Sequence, residues 1–137
     1  MLPWAKIEAD EIAQYWPAVR PMVKRALDKG HGEYTTASIL TAIAESRMQL
    51  WVATDEAKPR AALVTEVVDC PDLRLLHVPA LSGVEMDEWF DMLGQIITPW
   101  AKDQGCIEVR GTCTPGMGKV LRQRGWKHRY DIMGLPI

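Results

Sequence analysis

This chain predicts an α/β domain built on a mixed sheet, and three observations carry that reading. Between Met48 and Leu81, apolar residues fall in three strand-length stretches separated by turn residues. Between Val84 and Asp103 they recur at steps of three and four, the spacing of one helical face. A short apolar stretch, Cys106 to Val109, follows directly. Strand, helix and strand in that order make a right-handed crossover between parallel neighbours, here joined to an antiparallel meander. With 137 residues, a single domain over 1–137 is expected, large enough to bury a core without disulfide or metal support.

Each element has its own justification. Asp10 caps a first helix, with Glu11 in the opening turn and Ile12, Tyr15, Trp16, Val19, Met22, Val23, Ala26 and Leu27 on one face. Pro17 and Pro21 each remove a donor and crowd the preceding turn, so a break or kink is expected there. Lys29 to Gly32 forms a loop. Thr35 or Thr36 caps a second helix that runs to about Ser46 and buries Ile39, Leu40 and Ile43. Met48 to Thr54 reads as a strand, Asp55 to Pro59 as a turn, and Arg60 to Val68 as a central strand. Cys70-Pro71-Asp72 turns the chain, and Leu73 to Leu81 returns antiparallel. The long helix, Val84 to Asp103, should bend near Pro99 and end at Gln104-Gly105. A short helix from Met117 to Arg124 ends at Gly125, and Trp126 to Leu135 is the expected final strand.

Composition excludes several classes. The chain is 47% hydrophobic and 25% charged, with net charge −2 and interspersed acids and bases. Nucleic-acid binding needs clustered Lys and Arg. The basic runs at Lys24-Arg25 and from Arg122 to Arg129 read instead as solvated helix and strand faces. No apolar stretch approaches the ~20 residues of a membrane span. No signal peptide is visible in Met1 to Lys6. Cys70, Cys106 and Cys113 are odd in number and far apart, which fits a reducing cytoplasm. His31, His77 and His128 lie dozens of residues apart, so no metal site is expected. The stretch Cys113 to Val120 brushes against a phosphate loop, but Cys113 stands where the first glycine belongs and Val120 where the Mg²⁺-binding hydroxyl belongs.

The element order, with Trp16-Pro17, Gln49 to Ala53, Ala61 to Glu66, Trp100-Ala101 before Gly105-Cys106, and Val120-Leu121 before Gly125-Trp126, resembles the GNAT acyltransferase superfamily over almost the whole chain. More narrowly, it looks like the small GNAT-like proteins of phage and prophage genomes. The resemblance implies a coenzyme A site where the hairpin meets the long helix, with the backbone of Val78, Leu81, Ser82 and Gly83 holding the pantetheine arm. GNAT enzymes carry Gln/Arg-x-x-Gly-x-Gly/Ala there. This chain has Gly83 alone, followed by Glu85, Asp87 and Glu88. The tyrosine that such enzymes place four residues before the Gly-Phe corner falls on Leu121; Tyr130 is the substitute on offer. For deprotonating an amine the strands provide Glu66, His77 and Glu108.

These departures set two expectations. One is a phage-encoded GNAT-like protein with a degenerate acetyl-CoA site, no cofactor, and a structural or protein-interaction role in the virion or against a host protein. The other is a cytoplasmic, acetyl-CoA-dependent N-acetyltransferase acting on an amine. Apolar helix residues beyond the needs of the core would serve homo-oligomerisation.

Overall fold

The structure, a computed structural model, describes residues 2–137. Five strands form one sheet in the order β1-β2-β3-β4-β5: β1 Trp4–Ile7, β2 Gln49–Asp55, β3 Lys58–Asp69, β4 Arg74–Gly83 and β5 Glu108–Arg110. The first three pairings are antiparallel and β4–β5 is parallel. The helices are α1 Ile12–Leu27, α2 Thr36–Ala44, α3 Phe90–Asp103 and α4 Pro115–Arg122. The expected meander, crossover and parallel pair are all present.

Ala61 to Val64 of β3 are buried on both sides, which accounts for that strand's small and β-branched residues. On one face α1 and α2 bury Val19, Val23, Ile39 and Ile43 against Leu50, Val52, Ala62, Val64 and Ala80. On the other, α3 buries Phe90, Leu93 and Ile97 against Trp4, Trp51, Ala53, Ala61 and Leu63. Trp51 meets Trp100 edge to face at 5.4 Å, and its indole N–H donates to the fully buried Thr65 hydroxyl at 2.9 Å. That hydroxyl donates in turn to Gln49 at 2.8 Å. The buried polar chain is therefore satisfied.

Four features differ from the sequence expectation. A strand over Trp4–Ile7 precedes the first helix; its four residues bury only Trp4 and Ile7, too brief a pattern to announce itself. Pro17 and Pro21 do not break α1: both stand on its exposed face, where water takes the carbonyls they leave free. Pro99, exposed as well, lies within a continuous α3. That helix begins at Phe90 rather than Val84, after a 3₁₀ turn over Met86–Glu88. Lastly, Trp126 to Ile137 forms no strand. A three-residue β5 gives it little edge to pair with, Gly134 and Pro136 interrupt it, and it is tied back by the Trp126 N–H on the Leu121 carbonyl and by side chains such as Arg129 on Glu108.

Candidate functional site

The site begins with a proline in a strand. Val64 pairs with Ala80 and Glu66 with His77, so the single residue Thr65 faces both Val78 and Pro79. Pro79 has no N–H to give the ladder, and a bulge is where a sheet tolerates that. The bulge adds twist just where β4 loses its parallel partner, because the β4–β5 ladder ends at His77 opposite Arg110. Gly111 still lies against Val78, where a Cβ would sit 3.4 Å from the Val78 carbonyl oxygen. Beyond it the chain departs for α4. From Val78 to Gly83, β4 has β3 as its only strand neighbour among the described residues, and every second residue turns its N–H and C=O toward the open side.

Glu66 and His77 sit directly opposite each other on the face that carries α1 and α2. Paired positions of this kind bring Cβ atoms to about 5 Å. Burial lowers the His77 pKa, opposed by the Glu66 charge, so the imidazole is neutral at pH 7. Glu66 has no hydrogen-bond or ion-pair partner among the described residues. It lies where two clefts of about 680 and 660 Å³ meet; Arg47 and Met48 line both. One cleft continues past Tyr34, Glu33, Ser38 and Thr41, the other past Lys6, Gln49, Arg74 and Gln104. Burial, then the charges of Glu66 and Glu33, push the Tyr34 phenol up, which keeps its proton on.

The turn into α3 has a different character. Trp89 is buried in it, and its indole N–H donates to the Val84 carbonyl at 2.8 Å. The Trp89 carbonyl accepts from the Trp4 indole at 2.9 Å, and the two rings meet at 5.7 Å. Arg60 pairs with Glu85 at 2.8 Å, and Arg124 reaches Asp87 and Asp91 at 3.5 and 3.4 Å.

The structure thus brings Glu66 and His77 together and sets Val78, Leu81 and Ser82 along the open part of β4. Gly83 is there for packing: a Cβ would fall 2.5 Å from that of Ala61. Glu108 is occupied by Arg129 and Arg110, which hold its carboxyl down to about 2. Tyr130 stands on no strand and is 65% exposed, so its expected place is corrected: the segment that bore it has no ladder to join. Leu121 packs into the α3 cluster. Sequence reading missed Tyr34, Arg47 and the bulge. Pro79 inside an apolar strand was the available signal for the bulge; nothing local marked Tyr34 or Arg47.

No family model matches this sequence, and no curated protein matches it. Solved structures do resemble it. A probable acetyltransferase aligns with TM-score 0.74 and 12% identity over 99% of this chain and 98% of its own. A predicted acetyltransferase from Clostridium acetobutylicum, solved with acetyl-CoA, aligns with TM-score 0.69 and 14% identity over 99% and 96%. Glucosamine-6-phosphate N-acetyltransferase from Arabidopsis thaliana aligns with TM-score 0.66 and 12% identity over 99% and 98%. The chain has the GNAT fold. The comparisons lend no support to the phage and prophage resemblance.

Proposed function

We propose that this protein is an acetyl-CoA-dependent N-acetyltransferase that acts on an amine. The observation that carries the reading is the β4 bulge, which puts an unpaired strand edge beside the Glu66–His77 pair. Backbone groups of Val78 to Ser82 suit the amides of a pantetheine arm. Bound there, acetyl-CoA supplies the acetyl group as an activated thioester.

The protein's own residues do the rest. Glu66 attracts the acceptor as an ammonium ion. Neutral His77 accepts the proton that must leave before the nitrogen has a lone pair to attack with. Tyr34, which keeps its proton, lines the same cleft as Glu66 and so flanks the acceptor's approach to the carboxylate. Nothing assigns Tyr130 or Leu121 the protonation of the departing thiolate, a task water performs at an open site. The test is release of free thiol from acetyl-CoA in the presence of a panel of amines. Amine-dependent release that disappears in His77→Gln supports the reading; release no faster than hydrolysis with any amine rejects it.

The second reading, a non-catalytic scaffold that binds a protein partner, is favoured by one observation. Ile132, Met133, Leu135 and Ile137 are each at least 70% exposed in the C-terminal segment. Retention of a partner by the full chain, lost on deleting residues 131–137, would support it.

A further inference from the structure

Building on the transferase reading, we infer that the donor is recognised through its acyl-pantetheine arm alone, so that the site takes nucleotide-free pantetheine thioesters as readily as acetyl-CoA. The turn between β4 and α3 carries this. A helix start grips a pyrophosphate when its N–H groups are free, its surroundings are not anionic and glycines let the phosphates approach. The last two conditions fail here, and of the turn's N–H groups those of Glu88 and Trp89 are already taken by the carbonyls of Glu85 and Met86.

The space is filled. Trp89 is 3% exposed and is pinned from two sides, by its own indole on the Val84 carbonyl and by the Trp4 indole on its carbonyl. The Leu2 N–H closes the turn further, donating to the Glu88 carbonyl at 3.0 Å. The charge is wrong. Glu85, Asp87, Glu88 and Asp91 cluster there, and the two nearby guanidiniums are already engaged. Arg60 serves Asp55, Glu85 and Glu88. Arg124 serves Asp87 and Asp91 while lying 5.2 Å over the Phe90 ring. The backbone is also wrong. Glu85 takes the left-handed conformation (φ 56°) that a glycine would adopt freely. The one glycine present, Gly83, is required by its contact with Ala61.

A pantetheine arm asks for none of these features. Its amides need strand-edge donors and acceptors, which β4 offers from Val78 onward. The arm is common to coenzyme A, to small pantetheine thioesters and to acylated carrier proteins, and it is the arm that the site reads.

Calorimetric titration of the full chain tests this with acetyl-CoA, S-acetylpantetheine and an acetylated carrier domain. Dissociation constants for acetyl-CoA and S-acetylpantetheine within about threefold of each other are expected. The double variant Asp87→Asn, Glu88→Gln should tighten acetyl-CoA about fivefold and leave S-acetylpantetheine unchanged, since only the former carries phosphates. Acetyl-CoA binding about tenfold or more tighter than S-acetylpantetheine would overturn the inference. So would a variant that leaves their ratio unmoved. Binding of the carrier domain no tighter than S-acetylpantetheine upholds recognition through the arm, whereas binding about tenfold or more tighter would show contacts beyond the arm and overturn it. Binding of no thioester at all removes the transferase reading itself, a failure distinct from the tenfold preference.

Discussion

The middle of β4 and its far end lie only a few residues apart, yet they are built on opposite principles. At the middle, the sheet is left incomplete: a proline bulge, a partner strand that stops at Arg110, and a carboxylate with no partner facing a neutral imidazole. At the far end everything is closed: two tryptophans, their hydrogen bonds to carbonyls, and ion pairs that use up the local arginines. Polar groups left unpaired on a folded surface are held by water, which a ligand of matching donors and acceptors can replace. The chain thus leaves its sheet incomplete at the middle of β4, where we propose that thioester and amine meet, and packs the far end of the same strand closed.

The sharpest way to break this contrast is to remove the imidazole. His77→Gln should lower kcat/KM by about 10²–10⁴ with little change in melting temperature. The wild-type rate should be flat near pH 7. It should fall only as the pH drops below the ordinary histidine value of 6.5, because burial lowers the folded-state pKa and the base is lost as it protonates. An equal loss of rate and of folded protein would make His77 structural.

At the closed end the opposite pattern is expected. Trp89→Ala should cost about 3–5 kcal/mol of stability in denaturant unfolding, and where the protein stays folded, S-acetylpantetheine should still bind. Between the two ends, Thr65→Val leaves the buried Trp51 indole N–H without its acceptor. It should cost about 1–3 kcal/mol by the same measurement.

The smallest effect concerns Glu108. Arg129 and Arg110 depress its carboxyl to about 2 from the ordinary 4.5, so its stabilisation is full above that ordinary value and is lost as pH falls toward 2. These side chains are solvent-accessible, so the loss should stay under about 1 kcal/mol. Glu108→Gln should flatten that part of the acid unfolding curve while transfer activity is unchanged. A strong activity loss would move Glu108 into the site.

The fold was legible where period and length agreed. The three apolar, strand-length stretches from Met48 to Leu81 marked the meander, and the helical spacing that runs to Trp100 marked the crossover. The start of α3 was not legible. Met86 and Trp89 fit the helical period, but the Trp89 indole holds the Val84 carbonyl and keeps the segment in a 3₁₀ turn. A final strand was expected from the apolar residues after Trp126. Their side chains are exposed, because a strand needs an edge and β5 offers three residues. Glu66 and His77 were visible as candidates, but their pairing was not: it depends on the register shift at Val78-Pro79, a property of two strands together. The acids after Gly83 were legible as a departure from the phosphate-binding pattern. The buried tryptophan that completes that departure is a contact between the N-terminus and α3, eighty-five residues apart in the chain.

Backbone amide shifts followed by NMR during titration with acetyl-CoA test the central claim most directly. Saturable changes are expected at His77, Val78 and Ala80 to Ser82, with Glu85 to Trp89 essentially unmoved. Changes concentrated at Glu85 to Phe90, or none anywhere at millimolar ligand, would contradict it.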